Sequence, residues 1–386
     1  MEVFFSNAHG QTTYTLKLIH CFLCSVTNKP IGGIKVIYNH EILILKKTQR
    51  VGSVVIGRNE GARLVRCLTS LRAQLGQIVY VDSGSTDESV PMAQAMGVEV
   101  LNLDTSIPFC AARARNAGFA HLIQCHPDVE FIQFIDGDCE IIDGWLNYAV
   151  QALTNNSGLA IVIGLLNERF PEASIYNRVG EIEWNFSGIG EVKSVGGVFM
   201  VRRKAFESVG GFDNTLSAGE EPELCHRLSL KGWKFIRLDQ RMAWHDLAMT
   251  RFSQWWTRQV RNGYGSANVG GRYGLPNFQR NNLRVRIWAA WLISIPLCGG
   301  IVGIAAGLQT GLLTILAILS LWLAQVARIA IRNARRLHSW SFAMQYAFFV
   351  MAANFPQMVG QAKYFVDRLR KRSNRLIEYK KSSRMR

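Results

Sequence analysis

Between Arg286 and Arg328 the chain runs for 41 residues, Ile287 to Ala327, without one charged side chain. No other feature restricts the fold as much. As helix, at about 1.5 Å per residue, the run reaches roughly 60 Å, close to two crossings of a hydrocarbon layer about 30 Å thick. Gly307, Gln309, Thr310 and Gly311 interrupt it near its middle, where small and polar residues suit a tight turn. The pattern predicts two membrane helices, at about 287–306 and 311–331.

The flanking charges predict orientation. Arg280, Arg284 and Arg286 precede the run, Arg328, Arg332, Arg335 and Arg336 follow it, and the turn carries none. The positive-inside rule then places both ends, and the body before them, on the cytoplasmic side of a plasma or inner membrane. A third apolar stretch, 340–362, is expected to be re-entrant or interfacial. A crossing there would leave the basic run Arg368 to Arg372 outside, whereas a tail kept inside meets anionic headgroups. The net charge of +16 has the same source, because residues 280–386 hold 17 basic and 2 acidic side chains. Residues 1–279 are nearly balanced, with 27 basic and 26 acidic. Membrane lipids are therefore expected partners, and nucleic acid is not.

Residues 1–50 have no cationic flank with a long apolar core, so a secretory signal is not expected, and they are set apart as an extension of unknown role. The 8 cysteines show no disulfide spacing, and Cys21 and Cys24 make a lone C-x-x-C. Free thiols in a reducing compartment are the plain reading.

Residues 51–279 read as a domain of alternating strands and helices. Strands are expected at Ser53–Ile56, Ile78–Val81, Val98–Leu103 and Phe131–Ile135, with helices at 62–75, 88–96, 111–123 and 144–153. That order predicts an α/β fold with a mostly parallel sheet covered by helices on both faces, followed by the C-terminal membrane helices. Ligands of such sheets bind beyond the carboxyl ends of the strands, where Asn59, Asp82 and Asp136 fall. No G-x-x-x-x-G-K-[ST] occurs and no G-x-G-x-x-G follows the first strand, which argues against P-loop and dinucleotide enzymes. Asp136-Gly137-Asp138 instead places two hard oxygen ligands just off an apolar strand, a spacing suited to Mg²⁺ or Mn²⁺ with diphosphate oxygens. Alone it is equally a turn.

In its order of motifs the chain resembles a family 2 glycosyltransferase of the GT-A, nucleotide-diphospho-sugar transferase, fold. Val54 to Glu60 resembles the opening strand with its Asn-Glu end, and Asp82 to Asp87 the D-x-x-S-x-D segment. Ala114-Arg115-Asn116-Ala117-Gly118 resembles A-R-N-x-G, and Asp136-Gly137-Asp138 the D-x-D motif. Val195-Gly196-Gly197 with Val209 to Asp213 resembles the acceptor side, and Glu220 to Leu224 with Arg227 resembles E-D-x-x-L-x-x-R. Together they span about residues 51–250.

The resemblance implies an inverting transferase that takes a sugar from a UDP-sugar or other nucleoside-diphosphate sugar. Asn59, Glu60, Asp82, Arg115 and Asp136 would bind that donor, although Arg115 also fits a helix-face salt bridge. Asp138 and Asp136 would hold Mg²⁺ or Mn²⁺, joined by His245 unless that histidine is structural. Gly196, Gly197 and Glu220 would lie at the acceptor. Glu221 would take the hydroxyl proton, with Glu220 as the lesser candidate. The family usually has aspartate there, so the base is displaced by one methylene. Adjacent glutamates repel, which raises one pKa.

Gln254-Trp255-Trp256-Thr257-Arg258 has the composition but not the order of the Q-x-x-R-W of processive synthases, and two helices are few for a polymer channel. Addition of single sugars to a lipid-linked or other cell-envelope glycan is therefore expected. Trp255, Trp256, Arg258 and Arg261 fit either an interfacial helix or an aromatic core. A sugar nucleotidyltransferase and a non-catalytic membrane scaffold are the competing readings.

Overall fold

A computed structural model describes residues 50–370. The N-terminal extension, with Cys21 and Cys24, and the basic tail from 371 onward lie outside the described residues.

The first half alternates as the sequence predicts: β1 (Val51–Gly57), α1 (Ala62–Arg72), β2 (Ile78–Asp82), α2 (Ser89–Ala95), β3 (Glu99–Asn102), α3 (Ala111–Cys125) and β4 (Phe131–Asp136). β5 (Cys139–Ile141), α4 (Trp145–Asn155), β6 (Leu159–Glu168), α5 (Ile175–Trp184), β7 (Gly190–Val192), β8 (Phe199–Arg202) and α6 (Arg203–Ser208) follow. The body closes with α7 (Glu220–Leu230), β9 (Lys234–His245) and α8 (Phe252–Tyr273).

Nine strands form one sheet in the order β3-β2-β1-β4-β8-β6-β9-β5, with β7 paired to β9. β3, β2, β1 and β4 are parallel. Beyond β4 the sheet is mixed, since β8 pairs antiparallel with β4 and β6, and β5 and β7 antiparallel with β9. The expectation of a mostly parallel sheet is corrected on that side. There the long strands β6 (10 residues) and β9 (12 residues) pair parallel, and the short β5, β7 and β8 add the antiparallel pairings. The core between sheet and helices holds Phe134, Phe199, Phe206 and Trp145, each at most 1% exposed.

The C-terminal region begins earlier than drawn. α9 (Pro276–Ala306) runs 31 residues and α10 (Leu308–Leu337) runs 30, so a boundary at 280 falls inside a helix. Pro276 supplies the first helical position, where a missing N–H costs nothing. The helices turn at Gly307 (φ 92°), and Gly299 faces Gly311 closely enough that a Cβ on Gly311 would lie 2.6 Å from the Gly299 carbonyl oxygen. Both present apolar side chains outward, Ile304 being 91% and Leu308 75% exposed. The third apolar stretch is two helices, α11 (Trp340–Ala352) against α10 and α12 (Asn354–Leu369) against α8 and α9. Trp255 is 2% exposed in a cluster with Leu247, Met249 and Ala353, and Arg258 donates to Glu183 (2.6 Å). Those two residues of α8 therefore belong to the core reading.

Candidate functional site

The carboxyl ends of β1, β2 and β4 meet at one edge, in register: Gly57 lies beside Asp82, and Ile56 beside Asp136. Asp82 is 3% exposed, and its carboxylate organises the loop after β2. Its Oδ2 accepts from the amides of Gly84 (2.9 Å) and Ser85 (2.8 Å), and Oδ1 from the Tyr80 hydroxyl (2.8 Å) and Ser85 Oγ (2.5 Å). Burial, with the Asp82 carboxylate beside it, pushes the Tyr80 phenol far above its ordinary value, so it remains a donor. Asn59 joins this loop to β1. Its amide donates to Ser85 Oγ (2.9 Å), and its Oδ1 accepts from the Thr86 amide (2.7 Å). Asn59 holds φ 56°, a left-handed conformation that asparagine tolerates better than most residues. Glu60 pairs with Arg63 (2.8 Å).

Arg115 is the residue that gathers the site. Its side chain is 3% exposed; Nη2 donates to Asp136 Oδ1 (3.0 Å), and Nη1 to Glu220 Oε1 (3.2 Å) and Glu221 Oε1 (3.0 Å). The guanidinium carbon also lies 5.6 Å from the centre of the Phe212 ring. Burial opposes its charge, but the carboxylates of Asp136, Glu221 and Glu220 outweigh burial and fix it as a cation. The salt-bridge reading of Arg115 thus takes a different form. The bridge crosses between three segments instead of lying along one helix face. Next along the chain, Asn116 clamps the turn after α6, accepting from the Phe212 amide (2.9 Å) and donating to the Phe212 carbonyl (2.8 Å).

Gly219 enters α7 at φ 85° and sets Glu220, Glu221 and Glu223 in the first turn, where the helix end favours negative charge. Glu223 is buried under Arg227, which donates to both its oxygens and to the Val209 carbonyl, so this pair anchors the helix. Glu221 is 15% exposed along its side chain. Burial first, then repulsion from Glu220, pushes its carboxyl up to about 7 against the opposing pull of Arg115. Gly197 backs directly onto the pair it faces: a Cβ there would lie 2.6 Å from Arg115 Nη2 and 2.9 Å from Asp136 Oδ2. Gly196 faces open space.

Asp138 and His245 meet because β5 pairs with β9, Cys139 opposite His245. His245 Nε2 lies 3.4 Å from Asp138 Oδ2, and Cys139 Sγ is within 4.8 Å of both. Both side chains are buried, and His245 Nδ1 has no hydrogen-bond partner. The Trp184 ring packs edge-on against the imidazole, centroids 4.4 Å apart. Burial drives the Cys139 thiol far upward, which keeps it protonated and leaves the oxygen and imidazole as the donors for a hard divalent ion. Asp136 is outside this donor group and turns to Arg115. Phe212, beneath Arg115, comes from the Val209 to Asp213 segment, whereas Glu168, whose Oε2 is 3.9 Å from His245 Nδ1, has no sequence signal of its own.

Residues 53–210 match the family described as Glycosyl transferase family 2, and residues 188–251 the N-terminal domain of galactosyltransferase. Over residues 53–210 the chain is similar to glycosyltransferase family 2. A pre-mycofactocin glycosyltransferase from Mycobacterium tuberculosis is 27% identical to this chain over 238 residues, 57% of this chain and 47% of that one. The chain thus spans about half the length of that curated relative. An uncharacterized glycosyltransferase of Rickettsia felis is 32% identical over 53 residues, 14% of this chain and 19% of its own. The GT-A fold has a solved counterpart in a mannosyltransferase from Pyrobaculum calidifontis, in complex with GDP-Man and Mn²⁺. It superimposes with a TM-score of 0.51 at 16% identity, covering 82% of this chain and 87% of that chain.

Proposed function

We propose that this glycosyltransferase is metal-dependent and inverting. It moves a sugar from a nucleoside diphosphate to a lipid-linked or other cell-envelope glycan acceptor at the cytoplasmic face of the plasma or inner membrane. The observation that carries the reading is the single guanidinium of Arg115 bonded both to Asp136, at the donor end of the sheet, and to Glu221, at the head of α7. Donor binding and proton removal are thereby held in one rigid frame.

Asp138 and His245 fit a divalent ion, since a carboxylate oxygen and a buried imidazole already converge, with Glu168 on the Nδ1 side of the ring. When bound, Mg²⁺ or Mn²⁺ supplies positive charge beside the departing diphosphate. Asp136, two residues before Asp138, receives the donor ribose, and the Asp82 loop forms the wall for the base. Glu221 takes the proton of the acceptor hydroxyl. As that oxygen bonds to the anomeric carbon, the bond from carbon to diphosphate breaks on the opposite face. A carboxyl near 7 is half ionised at neutral pH, which suits this task. Gly196, open and adjoining Gly197, leaves room for the acceptor.

The membrane assignment rests on α9 and α10. Each is long enough to cross, and only 11% of the most apolar window of each is buried, where a soluble core helix would be mostly covered. Fractionation tests it: the protein stays in the pellet after an alkaline carbonate wash and leaves it with detergent. Release by carbonate alone overturns the anchor.

Activity is tested with a panel of labelled UDP- and GDP-sugars, Mn²⁺, and lipid extract from the source cells. Label entering the lipid fraction, abolished by chelation and by Asp138→Ala, is expected. Equal label with and without the ion would refute the metal role. Transfer of a nucleotidyl group instead of a sugar would make the protein a nucleotidyltransferase.

A further inference from the structure

Helix α3 carries Arg115 in its second turn and a different cluster in its last. His121 and Cys125 stand four residues apart, on one face. Opposite them is Glu99, the first residue of β3, which is the edge strand of the sheet. His121 Nε2 is 2.7 Å from Glu99 Oε1; Cys125 Sγ is 3.4 Å from the same oxygen and 3.8 Å from His121 Nε2.

We propose that Glu99, His121 and Cys125 form a zinc site, separate from the transfer site, that ties the end of α3 to the edge strand. Zn–S of about 2.3 Å and Zn–N or Zn–O of about 2.0–2.1 Å give tetrahedral edges of about 3.6 Å to sulfur and about 3.4 Å between nitrogen and oxygen. The two edges to sulfur are within 0.2 Å of that ideal as they stand. Only the His121–Glu99 hydrogen bond must open, by about 0.7 Å. The site is also accessible: the side chains of His121 and Glu99 are 29% and 38% exposed, and Cys125 is exposed.

Binding balances simply. Cys125 gives its proton to solvent and bonds through the thiolate, His121 bonds as neutral imidazole through Nε2, Glu99 through one carboxylate oxygen, and water takes the fourth position. Thiolate and imidazole favour zinc over Mg²⁺ or Mn²⁺.

The test uses the full chain in detergent, stripped with chelator and titrated with Co²⁺ as the spectroscopic probe for Zn²⁺. A Cys21→Ser/Cys24→Ser background removes the separate C-x-x-C pair. The expected result is a thiolate-to-cobalt charge-transfer band that Zn²⁺ bleaches. Cys125→Ser abolishes it with the far-ultraviolet circular dichroism unchanged, and His121→Ala and Glu99→Gln each weaken the affinity by about tenfold or more. A band that survives Cys125→Ser, or no band at all in that background, overturns the site.

Discussion

Arg115 donates to Glu221 across 3.0 Å, joining the helix that follows β3 to the helix that presents the proposed base. With Glu220 and Asp136 on the same guanidinium, one cation compensates three carboxylates. Removing it leaves those carboxylates without a partner. Arg115→Ala should cost about 3–5 kcal/mol, read as a lowered midpoint of thermal or denaturant unfolding. Arg115→Lys should recover part of that loss, because it restores the charge but not the fork that reaches both sides.

Glu221 sets the pH dependence. Its carboxyl is pushed from 4.5 up to about 7, by burial first and then by Glu220. Activity should therefore rise with pH through about 7 as the base ionises, and kcat/KM profiles measure this. Stability runs the other way. The folded protein holds this proton more tightly than the unfolded chain, so the contribution is complete below about 4.5 and is lost as pH rises through about 7. Glu221→Gln should flatten that part of the profile of unfolding midpoint against pH.

The two acceptor-side glycines should behave differently. A methyl group on Gly197 meets Arg115 and Asp136, while one on Gly196 meets nothing within 4 Å. Gly197→Ala should reduce kcat/KM for the donor by about a hundredfold, the scale of a 1 Å displacement in a reacting frame. Gly196→Ala should leave donor use close to wild type. Steady-state kinetics with the donor varied separates them.

Much of this was legible in the sequence, for physical reasons. β1, β2 and β4 are buried runs, each ending at or just before a polar residue at the edge where Asn59, Asp82 and Asp136 gather, so strand ends and candidate residues coincide in one pattern. β5, β7 and β8 have 3, 3 and 4 residues, too few for any periodicity to show, and their antiparallel pairing comes from distant segments. The proximity of His245 to Asp138 depends on that pairing and has no local signal. Arg115 was visible as a motif residue, but its three partners become one set only when Asp136 and the head of α7 are folded against α3. The aromatic face of α8 fits two readings in sequence for the same reason: Trp255 is covered by Leu247, Met249 and Ala353, which arrive from elsewhere in the chain.

Asp138 and His245 should govern ion binding. Asp138→Asn and His245→Ala should each weaken Mn²⁺ binding by tenfold or more, on the order of what loss of a supporting partner already costs a metal site. Calorimetric titration of the purified protein measures it. Glu99→Gln, remote from this pair, should leave the Mn²⁺ affinity unchanged.

In the proposed mechanism metal-assisted donor binding and proton removal are divided between Asp138 and Glu221. Binding of UDP or GDP with Mn²⁺, measured beside sugar transfer on the same preparations, tests it most directly. Glu221→Gln should bind the nucleotide nearly as wild type while transfer falls by about 10²–10⁴. Asp138→Ala should lose both. Wild-type transfer by Glu221→Gln, or wild-type nucleotide binding by Asp138→Ala, would contradict the account.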